Sequence, residues 1–147
     1  MNPQAPRLYV AEPAINYLVR PPLVVDCSVL SSAILDEETR LVAINLMSGK
    51  KLYAPYLLDH EIISVALKKG RLGHSASAIA IALSEYLVQD IELRSTDAQS
   101  QYELALRYGL SAYDAAYLWL AAELKAPLAT FDKKLATAAS AHLASLP

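Results

Sequence analysis

Cysteine is almost missing from this sequence. Cys27 stands alone, which rules out a disulfide within the chain and fits a reducing cytoplasm. It follows a predicted strand with no obvious base beside it, so a small core filler is the expectation for its thiol. Long apolar runs are missing too, since nothing approaches the roughly 18 residues that a membrane span needs. Residues 1–20 lack a basic start followed by an apolar block, so no secretory leader is expected. Repeats and low-complexity segments are absent. An excess of one charge is also lacking. The net charge of −2 argues against a protein held on nucleic acid by bulk electrostatics, and leaves such work to a local patch.

What is present is a chain of ordinary single-domain length. Of its 147 residues, 54% are hydrophobic and 19% charged, which supports a real core and argues against disorder. Five of the eight prolines fall in residues 1–22, which reads as an N-terminal arm with a helical turn over 13–19. Residues 23–147 then form the domain proper. A β-branched run at 23–27 has no amphipathic alternation, as in a strand buried on both faces. Helices are predicted at 28–35, 37–47, 56–69, 74–89, 97–108, 111–125 and 132–139. Pro55 is read as opening its helix, while Gly70 and Gly109 are read as closing theirs. Further strands are predicted at 51–54, 91–94, 128–131 and, at an edge, 143–146. Strands alternating with helices predict an α/β domain with a mainly parallel sheet.

Four acids stand out against this frame. Asp26 and Asp132 close two strands, Asp114 lies in the first turn of its helix, and Glu61 in the second turn of the helix after strand 51–54. In a parallel sheet all four positions fall at the carboxyl ends of the strands, where ligands collect. Asp114 shares a helical face with Tyr117, Leu118, Ala121 and Ala122, and Glu61 lies among Leu57, Leu58 and Val65. An acid on an apolar stripe is costly unless something meets it. Asp59, about 200° round the helix from Glu61, reads as a surface acid. Each acid has a plain alternative. Ser111 and Asp114 fit a capping box, and Asp26 and Asp132 are natural helix caps. Glu61 could mark a misplaced helix face or a partner surface. Four such residues at one edge are harder to explain singly.

Clustered carboxylates raise one another's pKa unless a cation neutralises them. An all-oxygen set suits Mg²⁺ or Mn²⁺, in one or two ions, and no thiol or histidine cluster suggests zinc. A metal held there generates hydroxide near neutral pH and clamps the oxygens of a phosphodiester under attack. His60, His74 and His142 show no spacing that suggests a shared site. Ile63 and Leu67 are apolar on the face opposite Glu61, which suggests a helix covered on both sides.

The segments around Val24-Val25-Asp26-Cys27-Ser28, Glu61, Ser111-Ala112-Tyr113-Asp114-Ala115-Ala116-Tyr117 and Ala129-Thr130-Phe131-Asp132-Lys133-Lys134-Leu135 resemble the PIN domain. In style they are similar to the VapC toxins of bacterial toxin–antitoxin pairs, over residues 23–147. The S-x-Y-D-A-x-Y block followed by T-x-D-x-x-L carries most of the specificity. The resemblance implies a PIN-like three-layer α/β domain with a mainly parallel sheet flanked by helices. It also implies a Mg²⁺- or Mn²⁺-dependent endoribonuclease that cuts RNA with metal-activated water. Asp26, Glu61, Asp114 and Asp132 become its catalytic and metal-binding acids, with Ser28 and Thr130 as supporting hydroxyls. Thr130 also reads as a plain β-branched strand residue. The implied partners are RNA, a cognate antitoxin and a second copy in a homodimer. The proline-rich arm departs from a minimal toxin.

Lys133 and Lys134, directly after Asp132, are the expected RNA contacts, with Lys68, Lys69 and Arg71 as a second basic group that also suits a helix end. Tyr113 and Tyr117 read as packing residues beside Asp114. Two other readings compete. One is an RNA-binding or regulatory module on the same fold, which would be expected to lack at least one acid. The other is a phosphatase with an aspartyl nucleophile, which would want a second acid two residues after Asp26, where Ser28 stands.

Overall fold

The structure is a computed structural model and describes residues 9, 11, 20–35 and 38–147. The expected arm at 1–22, with its turn at 13–19, lies almost wholly outside the described residues.

The first strand, β1 (Pro22–Val25), has Leu23, Val24 and Val25 sealed from solvent, as its unbroken apolar run demands. It pairs in parallel with β2 (Lys51–Pro55) on one side and with β4 (Leu128–Ala129) on the other. Outside β2 lies β3 (Ile91–Arg94), also parallel, giving the order β3-β2-β1-β4. The chain builds outward from β1 through β2 to β3, then returns to the far side of β1. That reversal puts a topological switch point between β1 and β4, where neighbouring loops diverge and a crevice opens at the strand ends.

Helices flank the sheet in two groups. The first is α1 (Cys27–Ile34), which packs with α2 (Arg40–Met47), α3 (Leu57–Arg71) and α4 (Ala76–Leu87). The second centres on α6 (Ala112–Leu124), which packs with α5 (Ala98–Tyr108) and α7 (Lys133–Ala144) and lies across β1, β2 and β4. Contact with both sheet and helices explains why α6 buries Ala115, Ala116, Tyr117, Leu118, Leu120 and Ala121 almost all round its axis. No helix among the described residues is long and apolar enough to cross a membrane.

Several boundaries differ from the sequence reading. Pro55 ends β2 instead of opening α3, opposite Arg94 in the ladder. Gly70 lies inside α3, and the positive φ that follows the helix falls on Gly73. The strand expected at 128–131 is two residues long, because Thr130 and Asp132 turn into a capping network. The edge strand expected at 143–146 is not formed. Leu135, Ala138, Ala139 and His142 make a buried stripe at helical spacing, and Tyr108 bonds His142 Nδ1 at 3.0 Å, so α7 continues to Ala144.

Candidate active site

Asp26 sits where β1 gives way to α1 and is only 6% exposed. A buried carboxylate needs donors, and three meet it. Its Oδ1 accepts from Ser28 Oγ at 2.6 Å and from Val29 N at 3.1 Å, which caps α1. Its Oδ2 accepts from Thr130 Oγ1 at 2.5 Å. Both hydroxyls are used twice. Thr130 Oγ1 accepts from Asp132 N at 2.9 Å, and Ser28 Oγ accepts from Phe131 N at 3.0 Å. Asp132 Oδ1 in turn takes Leu135 N at 2.7 Å and starts α7. The ends of β1 and β4 are thus laced together, with Asp26 at the knot.

The other two acids come in on helices. Ser111 Oγ accepts from Asp114 N at 3.1 Å, so the expected N-cap exists. Its carboxyl is nonetheless half-buried and coupled to Asp26 and Asp132. Capping and membership of the acid group are compatible for Asp26 and Asp132, and Asp114 belongs to the group from the capped first turn of α6. Glu61 is half-buried on the edge of the inward stripe of α3, which runs Leu58, Ile62, Ala66 instead of being centred on the acid. Its Oε1 accepts from the hydroxyl of Tyr117 at 2.7 Å. Asp59, exposed as expected, takes the Tyr86 hydroxyl.

Charge coupling ties the set together. Burial pushes the Glu61 carboxyl above its ordinary value, the Tyr117 hydrogen bond opposes this, and Asp26 and Asp114 push it further up. Burial likewise raises Asp114, helped by Asp132 and Asp26, against Ser111 and Lys134. Burial, then the bond to Glu61, holds the Tyr117 phenol far above its usual range, so it stays protonated and donates. The ion pairs Arg40–Glu85, Lys51–Asp90, Lys51–Glu92 and Arg94–Glu92 engage none of these four acids.

The donor set is all oxygen, which suits a hard divalent ion. Asp26 accepts three hydrogen bonds, fewer than the roughly four lone-pair positions that a carboxylate offers. Among the described residues, no group of three or more His, Cys, Asp or Glu side chains already forms a ligand-like cluster. The four acids are therefore joined by charge coupling, not by ligand contact.

The remaining sequence candidates divide. Ser28 and Thr130 both bond Asp26, so the Thr130 hydroxyl has a polar partner within the acid group. Lys133 and Lys134 are exposed and line one cavity with Tyr108 and Thr137, and Lys134 acts on Asp114. Lys68, Lys69 and Arg71 occupy the last turn of α3, at the end away from Glu61. Cys27 is half-buried, packs against the core as expected, and also lines a cavity with His60, Glu61 and Tyr113. Tyr113 does not pack as expected and is 63% exposed. Tyr117 packs, but its bond to Glu61 was missed. The signal was available, because a buried tyrosine hydroxyl needs a polar partner.

Comparison with known proteins follows the same outline. The family model for the PIN domain matches residues 23–141. Ribonuclease VapC1 of Mycobacterium tuberculosis is 28% identical over 121 residues, covering 77% of this chain and 90% of that protein. Among solved structures, PAE2754 from Pyrobaculum aerophilum matches with a TM-score of 0.65 and 21% identity, over 84% of this chain and 88% of that one. VapC20 of Mycobacterium tuberculosis, a sarcin-ricin loop cleaving toxin, matches with a TM-score of 0.57 and 16% identity, over 79% and 94%. At these identities the two structures speak for the fold.

Proposed function

The chain belongs to the PIN domain family, and we propose that it is a divalent-metal-dependent endoribonuclease, the toxin of a toxin–antitoxin pair. The observation that carries this reading is the coupling of Asp26, Glu61, Asp114 and Asp132 at the strand ends, where Glu61 and Asp114 are held above the ordinary carboxylate range partly by their acidic neighbours. The likeness to ribonuclease VapC1 supports it.

In this reading the four carboxylates hold one or two Mg²⁺ or Mn²⁺ ions. Such an ion supplies Lewis acidity at the phosphodiester and lowers the pKa of water at the site. The protein's own groups do the positioning. Ser28, Val29 N and Thr130 fix the Asp26 carboxylate on three sides, so it does not rotate to face solvent. Tyr117 holds Glu61 toward the group. Lys133 and Lys134 draw the RNA backbone in against the repulsion of the acids, and Lys134 also favours the ionised form of Asp114. The proposed protein partners are a cognate antitoxin and a second copy of the chain. The exposed Leu41, Val42 and Leu46 of α2 support contacts of that kind. The setting is the cytoplasm, consistent with a single cysteine.

The test is direct. Purified protein with unstructured RNA should cut it in Mg²⁺ or Mn²⁺ and stop on EDTA addition. Cleavage that persists in EDTA, or none with either metal, would refute the proposal.

A further inference from the structure

The acid group has two unlike flanks. On the Asp132 side, Lys133 and Lys134 offer two cations to passing phosphates. On the Glu61 side, a cavity of about 490 Å³ is lined by Cys27, Leu57, His60, Ser64, Val65 and Tyr113 along with Glu61, and by no lysine or arginine among the described residues. Beside any ion that Glu61 holds, a phosphate on this flank meets no lysine or arginine among the described residues. On this flank a strand can add affinity through something other than its backbone.

The walls say what that is. Leu57 and Val65 give apolar contact, His60 and Ser64 give polar atoms, and Tyr113 gives an aromatic ring. This is the make-up of a site for a flat heteroaromatic ring with a polar rim. Tyr113 is 63% exposed while Ala115, Ala116, Tyr117 and Leu118 on the same helix are buried. Its ring is therefore not used by the core. It lines the cavity and is next in sequence to Asp114.

We infer that this cavity receives an unpaired nucleobase next to the phosphodiester at the acids, with Tyr113 as its stacking partner. The inference rests on the ribonuclease reading and adds a nucleotide subsite to it. A base inside a duplex is paired and stacked and has no free face or edge to offer the cavity, so the subsite selects single-stranded or looped RNA.

Binding of a labelled unstructured RNA, followed by fluorescence anisotropy in EDTA, tests this apart from cleavage. Tyr113→Ala removes the ring, and Tyr113→Leu keeps apolar bulk at the same exposed position without a stacking face. Each should weaken binding by about tenfold, the scale of one lost base stack. Tyr102→Ala, which removes another exposed tyrosine outside the cavity, should bind as the wild type does. The same RNA annealed to its complement should bind more weakly than the single strand. Equal affinity of all four proteins for the single strand overturns the subsite, and is what a cavity reserved for a protein segment would give. Tyr113-dependent binding without metal-dependent cleavage would keep the subsite and remove the nuclease reading. Cleavage with Tyr113-independent binding would do the reverse.

Discussion

Tyr117 and Glu61 meet across two helices. The phenol on α6, from a ring 1% exposed, donates to Glu61 Oε1 on α3 at 2.7 Å. Tyr117→Phe keeps the ring and removes only the donor. Glu61, already raised by burial, then loses the bond that opposes the rise, so its carboxyl moves further up. The acid limb of the cleavage pH profile should shift to higher pH, with a stability loss of about 1 kcal/mol. An unshifted profile would mean that Glu61 does not titrate in the reaction.

Glu61 and Asp114 both ionise later in the folded protein than in the unfolded chain. Between the two pKa values the native state holds more protons, so their contribution is full below the unfolded value and lost as pH rises through the folded one. His142, lowered by burial and then by Arg107, works in the opposite direction as pH falls through its folded pKa. Comparison with a variant isolates the acids. Metal-free Glu61→Gln/Asp114→Asn should melt above the wild type at neutral pH, and the gap should close on acidification toward the ordinary carboxylate range. A variant that melts lower at neutral pH would contradict the repulsion.

Thr130 Oγ1 serves Asp26 Oδ2 and Asp132 N at once. Thr130→Val preserves the β-branched shape and should cost about 1.5–3 kcal/mol, the range for a hydrogen bond to a charged group. Denaturant midpoints measure this. Cleavage should fall with it, and Thr130→Ser should restore most of both. A neutral valine variant would mean that the Thr130 hydroxyl does not support Asp26.

Much of this was legible beforehand. The buried run at residues 23–25 and the caps Asp26, Ser111 and Asp132 are local signals, and the alternation of strands and helices placed the acids at one sheet edge. The links between segments were not legible. Nothing near Thr130 or Ser28 in sequence tells that their hydroxyls bridge β1 and β4, nor does the neighbourhood of Tyr117 point to Glu61, 56 residues earlier. Tyr113 and Tyr117 have the same chemistry and opposite burial, which only the packing of α6 against the sheet decides. The short C-terminal apolar stretch was misread as a strand because its helical stripe depends on His142 finding Tyr108.

Lys133→Ala and Lys134→Ala should each raise KM for RNA and lower the slope of log affinity against log salt by about 0.7, the release of roughly one counterion from a single strand. Lys134→Ala should in addition move the acid limb of the pH profile up, because it removes a charge that lowers Asp114. A salt dependence equal to that of the wild type would take both lysines off the RNA path.

Carboxylates from distant stretches of chain should act together on a divalent ion. Mn²⁺ titration by calorimetry of the wild type beside Asp26→Asn and Asp114→Asn, with circular dichroism to verify folding and RNA cleavage measured in parallel, addresses it most directly. Both variants should stay folded, with metal affinity and cleavage lost in each. Mn²⁺ affinity and cleavage unchanged in both variants would contradict it.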